Sequence, residues 1–216
     1  CCSNFLIHLC HQVYEVVGIS QIGLAYIFVK DKKMNTIEQI KGKKFAVLAY
    51  DEAQKIVVKS LGGQAVLSDI SDIAKKFNNG QADIMAAPAY AYKPLELYKG
   101  LGNDGAIITF PAVNMTMDLI IRPEKFSSNF GQNSRTWFLN RLNNNFTLIQ
   151  KIETELPAKY KINLNNEDKI RYQQILREAR IGLTKRGIYD ANMMNVLKRA
   201  RCTVERTNFE CTLGGE

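Results

Sequence analysis

The sequence holds only two histidines, His8 and His11, and no apolar run reaches the roughly 18–20 residues a membrane-spanning helix needs. Histidine-based acid–base or triad chemistry is therefore confined to the first eleven residues. The signatures GxSxG, HExxH and the P-loop are all missing. Gly62-Gly63 precedes an expected strand rather than a helix, so it cannot cradle a phosphate. Asp and Glu are plentiful, yet no pair at helical or strand spacing stands out from a charged surface. Cys1, Cys2 and Cys10 lie near the two histidines, but their spacing fits no standard zinc pattern. The expectation is a non-enzymatic protein with no metal and no cofactor.

What is present is an ordinary soluble composition, 46% hydrophobic and 23% charged, over 216 residues. The net charge of +8 raises nucleic acid as a partner. Its distribution argues against one. Residues 1–50 carry six lysines against three acids, residues 51–100 are balanced, and residues 101–150 carry one excess cation. The remaining surplus sits in residues 151–216, where Lys and Arg alternate with Glu and Asp as on a solvated helix face. No nucleic-acid partner is expected.

Cys202 and Cys211 lie nine apart in a polar tail. A disulfide there would tie down a terminus that otherwise frays, and it would indicate an oxidising compartment such as the periplasm. Two free surface thiols are the alternative. The opening CCSNFLIHLC is apolar but lacks a cationic start and a small-residue cleavage pattern, so it does not read as a signal peptide. Any export signal of the precursor is expected to have been removed or to lie upstream.

Punctuation and periodicity give most of the organisation. VYEVVGIS (13–20) and GLAYIFVK (23–30) read as two strands. Thr36 is a helix N-cap, with Glu38 in the first turn and Gly42 at the stop. The stretch from Lys41 to Pro94 then runs strand, helix, strand, helix, strand. KKFAVLAY is an apolar run suited to a buried parallel strand, and Ala53, Ile56, Val57 and Leu61 mark a helix face ended by Gly62-Gly63. QAVL follows. Ile73, Ala74 and Phe77 mark a second helix closed by Asn79-Gly80, and ADIMAA is the third strand. Such a succession is a parallel βαβαβ unit. AIITF and MTMDLIIR read as two further strands. From about Asn133 the pattern is helical, with Phe138, Leu142, Ile149 and Ile152 on one face until Leu156-Pro157. Glu167 to about Lys185 is another helix, and Asp190 caps a last one carrying Met193, Met194 and Leu197.

In open parallel sheets, ligands bind beyond the carboxyl ends of the strands. Two such ends carry suitable residues. Ala49-Tyr50-Asp51-Glu52 meets a helix N-terminus, and Ala86-Ala87-Pro88-Ala89-Tyr90 offers small residues beside an aromatic. Tyr50 and Tyr90 could equally be core or rim packing, and Asp51 a plain helix cap.

The run IKGKKFAVLAYDEAQKIVVKSLGGQAVLSDISDIAKKFNNGQADIMAAP resembles the binding lobe of TRAP-transporter substrate-binding proteins. Nearer still is a bacterial group of AdeT-type solute-binding proteins, some of them linked to RND-type efflux pumps and aminoglycoside resistance. The matching stretches are YEVVG (14–18), KFNNGQADI (76–84), AAP (86–88), KPLELYKGLG (93–102), IRPEKF (121–126), REARIGLTKRGIYD (177–190) and NFEC (208–211). The resemblance covers Tyr14 to Glu216. It implies an α/β, periplasmic-binding-protein type II-like fold with crossing strands near Val16–Val29 and Ile108–Leu119 and a C-terminal helical segment. Residues 1–13 are a non-matching leader, 14–122 the ligand-binding lobe and 123–216 the helices completing it, the first lobe being incomplete. TRAP receptors hold a substrate carboxylate with an Arg at the position of Ala46, so carboxylate specificity does not carry over.

The resemblance implies a periplasmic protein that captures a small polar solute for a membrane transporter. The alternative is an accessory of an RND-type efflux system. The expected contacts are Tyr50, Asp51, Gln54, Pro88, Ala89, Tyr90, Tyr92 and Asn114. For a cationic solute, Asp51, Glu52 and Asp118 with the tyrosines are the natural partners.

Overall fold

In the computed structural model, which describes residues 13–215, the chain enters a sheet at Glu15 and stays in it for fifteen residues, to Val29 (β1). The two strands read from the sequence are thus one. Gly23 is the reason. Its φ of +113° lets the strand take up an extra residue as a bulge between Gln21 and Gly23, a conformation in which a residue with a Cβ would be strained. A four-residue helix, Ile37–Ile40 (α1), follows, held by a capping box in which Thr36 and Gln39 satisfy each other's backbone N–H groups.

The expected βαβαβ unit is present as Lys44–Leu48 (β2), Glu52–Ser60 (α2), Gln64–Ser68 (β3), Ile73–Asn78 (α3) and Ile84–Pro88 (β4). β2 pairs in parallel with β3 from Lys44↔Gln64 to Leu48↔Ser68, and with β4 through Phe45↔Ile84 and Ala46↔Met85. The buried face of α2 differs from the expected one: Val58 and Leu61 are buried, while Ala53, Ile56 and Val57 are only half-buried. The run Ile56-Val57-Val58 offers several apolar faces, and packing against β2, β3 and a later helix selects among them.

Beyond a short 3-10 turn, Ala89–Ala91, come α4 (Leu97–Leu101) and the sixteen-residue strand β5 (Ala106–Ile121). β5 runs antiparallel to β1 from Val29↔Ala106 to Glu15↔Ile121. AIITF and MTMDLIIR therefore belong to one strand, not two. Between Ile108↔Ile27 and Val113↔Ala25 the register slips, so Thr109 to Ala112 bow out around Pro111, which has no N–H to lose. The sheet order is β3-β2-β4-β1-β5-β6, where β6 is Lys161–Ile162 and covers only Ile107 and Ile108 of β5.

The helical pattern after Asn133 also divides. α5 (Phe130–Asn140) and α6 (Leu142–Thr154) meet at Arg141, whose N–H closes the last turn on the carbonyl of Phe138, three residues back. That tightened turn redirects the axis. Both helices lie on β1. The ring of Phe138 fills the space over Gly18, where a Cβ would stand 2.2 Å from it. Asn145 donates to Ser20 Oγ (2.8 Å) and to the Gln21 carbonyl (3.0 Å).

Two helices, Asn166–Lys185 (α7) and Ala191–Val204 (α8), complete the chain, capped by Asn165 and Asp190. Cys202 and Cys211 form the expected disulfide, with Cα atoms 5.6 Å apart. The buried carboxylate of Glu210, next to it, accepts two hydrogen bonds from Arg180, both at 2.9 Å. The sheet carries a core on each face. Phe28, Phe77, Leu97 and Ile107 anchor one, and Val29, Ile40, Ile84 and Ile108 the other. Each such fully buried side chain stabilises the fold by about 1.5–3 kcal/mol. Among the described residues there is no metal-ligating cluster and no helix long and apolar enough to cross a membrane. Cys1, Cys2, Cys10, His8 and His11 lie outside the described residues.

Candidate functional site

β2 and β4 are parallel neighbours, so their carboxyl ends open side by side on one edge of the sheet. At the end of β2 the chain turns straight into α2. Asp51 Oδ1 accepts the N–H of Gln54 at 2.9 Å, and Gln54 Oε1 accepts the N–H of Leu48 at 3.1 Å. Both expected contact residues are thus engaged in holding the strand–helix turn. Asp51 is a helix cap. Tyr50 is held by none of this and is 71% exposed.

At the end of β4, Pro88 pairs with Ala25 and the chain tightens into the Ala89–Ala91 turn. Ala89 and Ala91 are small enough to be buried, which leaves Tyr90 between them standing 44% exposed. Tyr92 is only 7% exposed, its ring stacked on Phe28 (6.5 Å between centroids) and edge-on to Tyr98 (6.0 Å). Burial, and then the neighbouring phenols of Tyr160 and Tyr98, push its hydroxyl pKa up. Tyr92 is a core residue at the site's wall.

A cleft of about 230 Å³ lies between this turn and the end of α6. One wall is Ala89, Tyr90, Tyr92, Lys93 and Pro94; the other is Ile152, Glu155 and Leu156. Lys93 Nζ and Glu155 Oε2 pair at 2.6 Å between the two walls. The lysine's hydrogen bond, foremost, holds the Glu155 carboxyl below its usual range. Two residues earlier, on α6, Glu153 Oε1 accepts the N–H of Leu24 at 3.3 Å. The Tyr26 phenol is pushed up to about 12, first by burial and then by the charge and hydrogen bond of Glu153. Strand β1 and helix α6 are thereby locked behind the cleft.

The expected residues are only partly gathered. Ala89, Tyr90 and Tyr92 line the cleft, with Pro88 at the strand end beneath it. Tyr50, Asp51 and Gln54 belong to the neighbouring strand end. Asn114, on β5, pairs with Leu24, one position beyond the row joining Pro88, Ala25 and Val113, and does not line the cleft. The acids suggested for a cationic solute do not converge. Asp51 is a cap, Glu52 is paired with Lys55, and Asp118 pairs with Ile19 far along β5. Sequence reasoning missed Lys93, Glu155, Ile152 and Leu156. Lys93 falls within the quoted run KPLELYKGLG, but its partner lies 62 residues away. Among the described residues, no nucleophile–base pair lines the cleft. Its surface can stack, hydrogen-bond and pair charge.

A βαβαβ sheet crossed by two long antiparallel strands is the architecture of TRAP periplasmic solute-binding proteins. The crystal structure of one from Desulfovibrio salexigens with bound orotic acid matches at a TM-score of 0.70 and 13% identity, covering 91% of this chain and 65% of that one. A likeness at that identity shows the fold. The sequence places the chain more narrowly: it belongs to the solute-binding protein AdeT 1/2 family, whose sequence model matches residues 3–216. That match takes in residues 3–13, which the sequence reading had set apart as a leader. The probable solute-binding protein AdeT1 of Acinetobacter baumannii is 48% identical over 203 residues, spanning 94% of this chain and 67% of that protein. AdeT2 of the same organism is 32% identical over 205 residues, spanning 95% of this chain and 86% of that protein. The chain thus spans about two thirds of the length of AdeT1 and slightly less of the TRAP receptor.

Proposed function

We propose that this chain holds a small polar solute, without chemical change, at the carboxyl end of β4 and presents it in the periplasm to a membrane transporter. The observation that carries this reading is the cleft itself: an exposed aromatic, Tyr90, beside a cation–anion pair, Lys93–Glu155, at a strand end of this sheet. Tyr90 supplies a stacking face and the pair supplies one donor cation and one acceptor anion. That combination fits a neutral or zwitterionic solute. Orotic acid, the solute in the Desulfovibrio salexigens receptor, is planar and small enough to serve as a first probe. A polycation such as an aminoglycoside would need several acids, and among the described residues Glu155 is the only one lining the cleft.

The test is calorimetric titration of the chain with orotate, with zwitterionic amino acids and with kanamycin. A saturable heat with the first or second class, weakened about tenfold in Tyr90→Ala, supports the reading; tenfold corresponds to about 1.4 kcal/mol, the scale of one aromatic contact. Binding of kanamycin alone, or binding indifferent to both Tyr90→Ala and Lys93→Gln, overturns it.

A further inference from the structure

A second cavity lies on the other part of α6, about 290 Å³ in volume, where α5, α6 and β1 meet. Its apolar lining comes from Ile19, Phe138, Leu142 and Leu148. At the elbow between the helices the guanidinium of Arg141 lies 3.9 Å from the centroid of the Trp137 ring. A guanidinium stacked on an indole keeps its in-plane N–H donors directed outward, in the fork that matches a carboxylate. Arg141 is the only charged residue lining the cavity, and its side chain has no ion pair or hydrogen bond among the described residues. No side chain caps the first turn of α6, which opens at this same residue, so backbone N–H donors stand beside the guanidinium.

We infer that this elbow is a binding site for a small monocarboxylate with an apolar body, the carboxylate on Arg141 and the α6 N-terminus, and the body on Leu142, Leu148 and Phe138. An anion without an apolar body would leave the floor unused. An apolar body without the anion would leave the guanidinium as it is in water. The site stands apart from the cleft at β4, shares no lining residue with it, and does not rest on the solute proposed there.

The tryptophan makes the test direct, because Trp137 is the only one in the sequence and its emission reports on this cavity alone. The protein would be titrated with hexanoate and, in parallel, with hexanamide. The expected result is a saturable emission change with hexanoate at a concentration at least tenfold below that needed with hexanamide. Arg141→Gln removes that preference, judged by the midpoint and not by the starting emission. Asn144→Asp, an exposed change at the cavity lip that leaves the packing alone, weakens hexanoate and spares hexanamide. Tyr90→Ala leaves all of these midpoints unchanged. Equal midpoints for acid and amide, or a hexanoate midpoint indifferent to Arg141→Gln and Asn144→Asp, would overturn the inference, as would no emission change at all.

Discussion

Replacing Gly23 by alanine should cost the protein several kcal/mol, for reasons that can be separated. The residue's φ of +113° lies where L side chains are strained, a penalty on the order of 1–3 kcal/mol. A Cβ there would stand 3.1 Å from Ile149 Cγ2 on α6, closer than ordinary contact, and easing it apart costs on the order of 1 kcal/mol. Together the loss is about 2–4 kcal/mol. With a urea m-value of about 2–3 kcal/mol/M, the unfolding midpoint should fall by about 1 M at unchanged m. Urea unfolding followed by circular dichroism measures it. Adding Ile149→Ala isolates the steric part: the double variant should lose about 1 kcal/mol less than the sum of the single losses, while the backbone penalty persists. A Gly23→Ala variant within about 0.5 kcal/mol of the parent would refute the reasoning, since β1 would then pass residue 23 without needing a glycine.

Three further expectations follow from the same geometry. Cys202→Ser with Cys211→Ser opens a bridge across nine residues and should cost about 2.5 kcal/mol, seen as a Tm lowered by roughly 5–10 °C; an unchanged Tm would show the tail contributes nothing. Asp51→Ala should lose about 1 kcal/mol of stability and Asp51→Asn almost none, because asparagine caps equally well; a large loss of solute binding in Asp51→Asn would instead make the charge a ligand contact. The Tyr26 phenol, held protonated up to about 12 in the fold against about 10 in the unfolded chain, contributes stability that is full below pH 10 and disappears as the pH rises through 12. Since the ring is only half-buried, screening reduces that contribution to about 1 kcal/mol, and Tyr26→Phe should flatten the stability profile between pH 10 and 12.

The parts of this fold that could be read in one dimension are those whose cause is local. The βαβαβ unit is punctuated by Gly62 and Gly80, both at positive φ, and three helices of the chain open at the caps Thr36, Asp51 and Asp190, which bond residues three positions on. The rest depends on partners distant in sequence. Gly23 looks like a turn until β5 supplies a strand to bulge against, and Pro111 looks like a break until the open outer side of β5 makes its missing N–H harmless. The buried side of Ile56-Val57-Val58 is chosen by neighbouring elements. At the site, Tyr90 was legible as an aromatic at a strand end. Tyr92 was not separable from it, because the choice between rim and core is made by Phe28 and Tyr98. Lys93–Glu155, and the cavity that sets Ile19 and Ser20 of β1 beside the local Trp137–Arg141 pair, arise only once α6 crosses the sheet.

The outer side of β5 has one more consequence. From Thr109 to Ile121, among the described residues, this strand has a strand neighbour on one side only, and its other side presents alternating N–H and C=O groups beside exposed Val113, Met117, Leu119 and Ile120. Such an edge is a template onto which any extended chain can be zipped, one backbone hydrogen bond after another. Pro111 removes a donor at one end and Asp118 places a charge near the other, while the six residues between them carry neither charge nor proline and, among the described residues, have no strand on that side. Colloidal behaviour should therefore be governed by this short stretch: self-association that grows with concentration, survives high salt, and is suppressed by a single lysine at Met117.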